Sequence, residues 1–261
     1  MCKIFNYMKS LCMSKCQRGS GLKQAVIFDF FWTLSEVQEH TIEEFVKKTY
    51  ESLVDDGFHL DRERFIEIFY QIYQKYRLIR YQKLVEVSNS VWIAETLNQL
   101  GFAAEPDDGA VRKAVNIAFQ SYFQSLKARP CASRTLKRLS GGYALALVSN
   151  FTYAPVIYAG VRKLRFSLYF NCILVSDYVG WRKPHPRIFE EALKRLDKNV
   201  EQAVFVGDNP MEDIQGAKAI GMKAIFIPSQ FFTIEDAEKA LQPPDLIINN
   251  LCELPRVLPK M

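Results

Sequence analysis

Three apolar segments, each ending at polar or acidic residues, constrain the fold of this chain most strongly. They are VIFDFFWTL around Asp29, LALVSN ending at Asn150, and VFVGDNPMED, which carries Asp208 and Asp213. Runs of Val, Ile, Leu and Phe that are followed by Gly or polar residues are typical of buried strands. The carboxyl ends of parallel strands open at one edge of a sheet, where ligands bind. The sequence therefore predicts that side chains from all three segments meet at one site.

Apolar runs and helical segments alternate after Pro130, which favours an α/β fold with a doubly wound parallel sheet. The first strand is predicted over 24–31. The later strands are predicted over 143–148, 171–175, 203–207, 223–227 and 245–248. The helices between them are predicted over 132–140, 153–165, 186–196, 211–220 and 233–241. We expect the strand order 3-2-1-4-5, with the first strand at the centre.

Residues 36–127 have a different pattern, which predicts a helical insertion after the first strand. A long helix, with Asp61 at its start, is indicated by apolar residues at steps of three and four. These residues are Phe65, Phe69, Ile72, Tyr76 and Ile79. Further helical stretches lie around Trp92 and over 107–126. The predicted domains are therefore an α/β core (24–35 and 128–261) and a helical cap over 36–127.

The basic charge of the chain lies at its N-terminus. The net charge is +5, and the Lys and Arg residues of 1–24, a segment without Asp or Glu, account for all of it. The neutral remainder argues against a nucleic-acid partner. We expect residues 1–23 to be a flexible basic leader, although its apolar periodicity also allows a membrane-surface or transit helix.

Two absences in the sequence bear on where the protein works. No apolar run approaches the roughly 18 residues that a transmembrane helix needs, so no such segment is expected. The six cysteines form no CxxC pair and no metal-finger spacing. This unpatterned usage, with each cysteine taken as a small apolar filler or surface thiol, indicates a reducing compartment and hence a cytoplasmic location.

Four motifs together resemble those of the haloacid dehalogenase-like (HAD) hydrolase superfamily. In chain order they are FDFFWTL, LVSN, GWRKPHPRIFEEAL and VGDNPMEDIQGAKAIGM. The resemblance covers residues 24–250. It implies a Rossmannoid core, hydrolase activity and a mobile α-helical cap inserted after the first motif.

The resemblance also implies the roles of individual residues. Asp29 would be the nucleophile that forms an aspartyl-phosphate, with Lys183 as a second catalytic residue. Mg²⁺ would be held by Asp29, Asp208 and the backbone carbonyl of Phe31, with Asp213 in support.

The phosphoryl group would be held by hydroxyl, amide and ammonium groups. The residues expected to bind it are Thr33, Ser149, Asn150 and Lys183. Two alternatives stay open, since Thr33 also fits a turn residue and Asp213 also fits an acid on a helix surface. Arg182 and His185, beside Lys183, are expected to be structural or rim residues.

One position departs from the resemblance. The family's phosphatases keep a second Asp two residues after the nucleophile, and this chain has Phe31 there, which transfers no proton. That proton transfer typically contributes about 10²–10⁴-fold to the rate. The substitutes in reach along the sequence are Glu36, Glu39 and His40. A leaving group that needs no proton would also remove the requirement.

Three hypotheses follow from this departure. The favoured one is a Mg²⁺-dependent phosphatase of a small phosphorylated metabolite, because Asp208 and Asp213 are kept as a pair. A 2-haloacid dehalogenase-type hydrolase is the second, since such relatives also lack the second Asp but work without metal. A weakly active or inactive binding protein is the third. In the cap, Arg77, Arg80 and Lys83 fit either an acidic substrate or a solvated basic face.

Overall fold

The structure, a computed structural model, describes residues 22, 24–38 and 41–260. The predictions for Glu39, for His40 and for the leader apart from Leu22 lie outside the described residues. The strands are β1 (Ala25–Phe28), β2 (Ser35–Glu36), β3 (Lys127–Ala128), β4 (Ala144–Ser149), β5 (Cys172–Val175), β6 (Ala203–Gly207), β7 (Lys223–Phe226) and β8 (Leu246–Ile247).

Six of these strands form one parallel sheet in the order β5-β4-β1-β6-β7-β8. The predicted fold and the central place of the first strand are confirmed, and β8 lies at the edge beyond the five strands of the predicted order. Val26 and Phe28 face one apolar cluster, whereas Ala25 and Ile27 face another on the opposite side of the sheet. This burial on both faces explains why β1 is continuously apolar.

Helices cover both faces of the sheet and form the insertion after β2. They are α1 (Ile42–Asp55), α2 (Arg62–Lys83), α3 (Asn89–Gln99), α4 (Gly109–Ala118), α5 (Gln120–Ser125), α6 (Ala132–Leu139), α7 (Ala154–Lys163), α8 (Ser176–Val179), α9 (Pro186–Leu196), α10 (Gly216–Ala219), α11 (Ile234–Glu238) and α12 (Leu254–Val257). The helix predicted over 107–126 is two helices that meet at Phe119. The one predicted over 211–220 begins instead as a π-helix, Pro210–Gln215, that leads into α10.

The two places where the chain leaves and rejoins the α/β part lie side by side. β2 and β3 pair antiparallel there, with Ser35 opposite Ala128 and Glu36 opposite Lys127. Between these crossings, helices α1–α4 bury an apolar cluster that Tyr153 and Val156 of the core complete. We therefore propose the division into core and cap at 35/36 and 127/128.

The cap also contacts the core midway along its sequence. The segment between α2 and α3 lies against the residues before Lys183, where Arg182 N–H donates to Leu84 O at 3.0 Å and Glu86 N–H donates to Gly180 O at 2.9 Å. The Glu86 carboxylate is fully buried, pairs with Arg80 and accepts from Ser176 Oγ at 2.7 Å. Arg80 therefore serves the cap–core joint. Movement of the cap stays a prediction.

Two cysteines that the sequence analysis left unpaired lie next to each other in the structure. The sulfur atoms of Cys131 and Cys252 are paired, with their Cα atoms 5.4 Å apart, which lies within the range of disulfides. They join the start of α6 to the segment after β8, so they are not the isolated fillers that we expected. Cys172 is buried in the sheet as a filler. A cytoplasmic location stays a prediction.

No helix in the described part of the chain combines the length and the apolar character needed to cross a membrane.

Candidate active site

The carboxyl ends of three neighbouring strands form the floor of a cavity of about 230 Å³. Asp29 follows β1, Ser149 ends β4 and Asp208 follows β6. The backbone N–H of Asp29 donates to Val206 O at 2.9 Å, which continues the β1–β6 pairing up to the cavity. The three apolar segments of the sequence therefore deliver their polar ends to one place, as their pattern predicted.

Lys183 lies beneath this floor and holds it together. Its side chain is 1% exposed, and Nζ donates to Asp29 Oδ1 at 2.6 Å and to Val148 O at 3.0 Å. A third contact, 2.7 Å long, pairs Nζ with Asp213 Oδ1. Burial alone would lower the pKa of Lys183, but the carboxylates of Asp213 and Asp29 raise it above its ordinary value. The ammonium is therefore charged, and it is surrounded by two carboxylates and a backbone carbonyl.

Three carboxylates lie close together here, and the ammonium contacts two of them, Asp29 and Asp213. Asp29, Asp208 and Asp213 are all buried, and each offers an oxygen within 4.8 Å of the others. Burial and the charge of Asp29 raise the pKa of Asp208 to about 7. Burial also raises the pKa of Asp213, opposed by Lys183 and reinforced by Asp29 and Asp208. These shifts reflect an excess of buried negative charge that a divalent cation would neutralise, and oxygen ligands suit Mg²⁺.

Gly207 makes room for Asp213 in this cluster. A Cβ atom on Gly207 would lie 2.3 Å from Asp213 Oδ2, which is far inside van der Waals contact. That same oxygen accepts from the backbone N–H of Asn209 at 3.0 Å. Both oxygens of Asp213 thus have protein partners, so its place is beside the metal candidates as a support, which disfavours the alternative of a surface acid.

Replacing Gly207 by alanine is expected to displace Asp213 and with it one partner of Lys183. We expect a loss of about 1–3 kcal/mol in the free energy of unfolding, the usual cost of overpacking a tight site. Urea denaturation measures this cost. Gly142→Ala is the matched control, since nothing lies within 4 Å of the Cβ it would gain. Equal stability of the two variants would contradict the role given to Gly207.

Thr33 lies behind the cavity, beside a candidate metal ligand. It is fully buried, and its hydroxyl donates to Asp208 Oδ1 at 3.4 Å. The loop that carries it is tight: Ser35 N–H donates to Phe30 O at 2.9 Å, and Trp32 adopts a left-handed conformation with φ 62°. Thr33 therefore orients Asp208, and its direct contact with a phosphoryl group stays a prediction.

Asn150 holds the segment that carries Lys183. Its Nδ2 donates to Lys183 O at 2.9 Å and to Glu212 Oε2 at 2.8 Å, and its Oδ1 accepts from Lys183 N–H at 2.8 Å. Because the side-chain amide is occupied in this way, a hydrogen bond from Asn150 to a phosphoryl group would have to come from its backbone N–H.

Aromatic rings form the wall above the acidic floor. Phe31 packs against Tyr122 and Phe151, with ring centroids 5.3 and 5.4 Å away. On the other side Trp32 meets Phe231 edge-on at 5.1 Å. Burial and the charge of Asp29 raise the pKa of Tyr122 above its ordinary value, so its hydroxyl stays protonated at neutral pH. The cavity thus has an anionic floor and an aromatic mouth.

The sequence matches the family model of haloacid dehalogenase-like hydrolases over residues 56–227, about two thirds of the chain. The chain belongs to this family. The resemblance read from the four motifs is thereby confirmed.

Several curated relatives of this HAD-like hydrolase are named as phosphatases. Over 138 residues the chain is 33% identical to the glyceraldehyde 3-phosphate phosphatase of Pyrococcus furiosus, covering 52% of this chain and 56% of the relative. It is 31% identical over 160 residues to the phosphoserine phosphatase of Thermus thermophilus, covering 58% and 60%. It is also 31% identical over 174 residues to haloacid dehalogenase-like hydrolase domain-containing protein 3 of Mus musculus, covering 64% and 66%. The matched segment spans about half to two thirds of each relative.

Solved structures confirm the fold. A 2-haloacid dehalogenase from Pseudomonas syringae pv. Tomato aligns with 91% of this chain and 98% of its own, with a TM-score of 0.65 and 24% identity. A HAD phosphatase from Thermococcus onnurineus aligns with 90% of this chain and 97% of its own, with a TM-score of 0.58 and 24% identity. The overall fold is therefore shared with proteins of both names.

Two residues of this HAD-like site were missed or left unassigned at the sequence level. Glu212 lines the cavity and accepts from Asn150 and, at 2.8 Å, from Arg182 Nη2. Arg182 is 4% exposed, and its guanidinium lies 4.7 Å from the ring centre of Tyr81 in α2. The structural role expected for Arg182 agrees with these contacts. The position of Glu212 in GDNPMED was the only signal for it, because its partner Asn150 is 62 residues away.

The candidate substitutes for the missing acid find little support among the described residues. The Glu36 side chain is 44% exposed and pairs with Arg129 at 3.5 Å. It lies on β2, outside the group of residues that line the cavity. His185, expected at the rim, caps α9 by accepting from Arg187 N–H at 3.2 Å and stacks on Trp181.

Proposed function

We propose that this HAD-like hydrolase is a Mg²⁺-dependent phosphatase of a small phosphorylated molecule, acting through an aspartyl-phosphate on Asp29. The observation that carries the proposal is the charge of the site: three buried carboxylates face one ammonium, that of Lys183. Such a site favours a divalent cation, and a cation held there favours a substrate with a phosphoryl group. The names of the relatives, which include phosphatases of three-carbon and amino-acid phosphates, support the same class.

Each residue of the site would have a separate role in the reaction. Asp29 attacks phosphorus with Oδ2, since Oδ1 is held by Lys183. The Lys183 ammonium would orient the Asp29 carboxylate for attack. Ser149 and the backbone N–H of Asn150 would donate hydrogen bonds to the phosphoryl oxygens. Asp29, Asp208 and the carbonyl of Phe31 would hold Mg²⁺, which supplies positive charge for the phosphoryl oxygens. Water then hydrolyses the aspartyl-phosphate and restores the Asp29 carboxylate.

A 2-haloacid dehalogenase-type reaction is the second candidate, because Phe31 supplies no proton and a halide leaving group needs none. Asp208 argues against it, since a buried acid with a pKa near 7 is costly to keep unless a cation binds it. A protein that only binds a phosphorylated ligand is the third candidate.

Metal removal separates these candidates. With Mg²⁺ the protein is expected to hydrolyse p-nitrophenyl phosphate, and EDTA is expected to abolish this activity reversibly. Asp208→Asn should raise the Mg²⁺ concentration needed for half-maximal activity by about tenfold or more, because the site loses one of its negative charges. Release of halide from 2-haloacids in EDTA would overturn the proposal in favour of a dehalogenase. Mg²⁺ binding without either reaction would favour a binding protein.

A further inference from the structure

The mouth of the cavity offers apolar surface and little charge to the part of the substrate beyond the phosphoryl group. Phe31, Trp32, Phe231 and Phe232 line it. Phe231 is 49% exposed and meets Trp32 edge-on at 5.1 Å, so the two rings present one apolar surface at the mouth. The volume of about 230 Å³ lies below that of most ligand pockets, so it suits a phosphoryl group with one small ring.

The wall has no cation to spare for a second acidic group of the substrate. Among the cavity-lining residues that the structure describes, Lys183 is the one cation, and it is engaged by hydrogen bonds to Asp29 and Val148 O and by an ion pair with Asp213. Arg182, behind the wall, is paired with Glu212. A substrate carboxylate or second phosphate would therefore stay unpaired in a site that is already anionic, which costs affinity.

Apart from the three clustered aspartates, the described residues that line the cavity include no acid that is free to donate a proton to the leaving oxygen. Phe31 occupies the position of the second Asp, and both oxygens of Glu212 accept hydrogen bonds from Asn150 and Arg182. Tyr122 packs behind Phe31, with ring centroids 5.3 Å apart, and is not among the residues that line the cavity. The leaving oxygen must then depart as an anion, and the cost of this depends on the pKa of the alcohol. A phenol, with a pKa of about 10, is a far better leaving group than an alcohol whose pKa is near that of water, about 15.7.

We infer that this site, if it is the phosphatase proposed above, is selective for phosphate monoesters of small phenols over those of alkyl alcohols. Asp29 Oδ2 forms the new bond to phosphorus while the bond from phosphorus to the phenolic oxygen breaks and its electron pair leaves with the phenolate. The phenolate takes a proton from solvent. Water then hydrolyses the aspartyl-phosphate to inorganic phosphate, a step that is slow because Phe31 cannot activate the water.

A linear free-energy series tests this inference on the wild-type protein. The substrates are phenyl phosphates of graded leaving-group pKa together with phosphoserine and glycerol 3-phosphate, each with Mg²⁺. We expect kcat/KM to fall steeply with leaving-group pKa and to be at least about 100-fold lower for the alkyl esters, as expected when general acid catalysis is missing. We also expect a burst of one phenol per site before the steady state. Alkyl esters cleaved as fast as phenyl esters would overturn the inference and leave the phosphatase proposal standing, whereas no hydrolysis of either class would overturn both.

Variants at Phe31 test the cause. Phe31→Asp restores an acid, so we expect kcat/KM for the alkyl esters to rise by about 10²–10⁴-fold and the dependence on leaving-group pKa to become shallower. Phe31→Asn is the matched control, because asparagine has the size of aspartate but transfers no proton. Its kcat/KM for the alkyl esters should stay at least tenfold below that of Phe31→Asp. Equal alkyl activity in the two variants would show that proton transfer at this position does not set the selectivity.

The aromatic mouth has its own test. Phe231→Ala is expected to raise KM for phenyl phosphate by about 3- to 10-fold, the usual worth of one aromatic contact, with little change in inhibition by inorganic phosphate. Leu168→Ala removes another exposed apolar side chain, outside the cavity, and serves as the control. An unchanged KM in Phe231→Ala would show that the mouth does not bind the ring.

Discussion

Asp29→Asn is expected to lower phosphatase turnover by about 10⁴-fold or more, because an amide cannot attack phosphorus and no aspartyl-phosphate forms. The substitution should not destabilise the folded protein. The asparagine oxygen can still accept from Lys183, and the loss of one of three buried negative charges relieves repulsion that raises the pKa of Asp208. We therefore expect a free energy of unfolding in EDTA that is no lower than that of the wild type, with a smaller stabilisation by Mg²⁺.

Two measurements check this expectation. Steady-state hydrolysis of p-nitrophenyl phosphate gives the loss of turnover, and mass spectrometry of acid-quenched enzyme shows whether a phosphoryl group is attached at Asp29. Glu36→Gln is the control variant, since it removes another acid close to β1 in sequence, and it should keep most of the activity. Phosphorylation of the Asp29→Asn protein, or its full turnover, would place the nucleophile elsewhere. A matching loss in Glu36→Gln would instead make Glu36 the missing proton donor.

The sheet was largely predictable because its signals are local. β1, β4 and β6 are short runs of buried aliphatic and aromatic residues, and each ends at or just before a polar residue or a glycine, so their type and their order could be read from the chain. The acids that follow β1 and β6 had to meet once these strands became neighbours. The edges of elements were less certain, and the π-helix over Pro210–Gln215 has no periodic signal that distinguishes it from an α-helix.

The partners within the site could not be predicted, since they depend on contacts between distant segments. The sequence indicated Asn150 as a phosphoryl ligand, but nothing in it says that its amide binds the backbone of Lys183, 33 residues away, and Glu212. The ion pair of Asp29 with Lys183 joins two residues that the sequence assigned to one site, while the placement of Asp213 on the same ammonium depends on the absence of a side chain at Gly207. Pairing of Cys131 with Cys252, 121 residues apart, likewise has no local signal.

The joint between cap and core was missed for a related reason. Residues 84–86 and 180–182 form short antiparallel contacts through their backbones, and backbone hydrogen bonds leave little trace in side-chain pattern. Glu86 lies in no sequence motif, yet it is buried beside Arg80 and Ser176 and is therefore part of this joint. The basic residues of α2 were considered for substrate binding, and the contacts of Arg80 now assign that residue to structure.

Lys183→Met is expected to have the largest effect on stability. It removes the one ammonium among Asp29, Asp208 and Asp213 and leaves buried carboxylates without a partner, a change that costs about 3–5 kcal/mol in other proteins. Without the ammonium the pKa values of Asp208 and Asp213, already raised by burial, rise further above those of the unfolded chain. A raised pKa of an acid in the folded state means that stability is lost as pH rises. The deficit of the variant should therefore widen as pH rises from about 5 to 8.

Urea denaturation of the wild type and of Lys183→Met in EDTA, over this pH range, measures the deficit. Mg²⁺ should recover part of it, because a divalent cation bound by Asp29 and Asp208 replaces the lost positive charge. Lys218→Met is the control, since its 2.7 Å ion pair with Asp245 is about 30% exposed on both sides and should be worth less than about 1 kcal/mol. A deficit no larger than that of the control, or one that narrows as pH rises, would mean that Lys183 does not balance the charge of the site. The electrostatic case for a divalent cation would then fail with it.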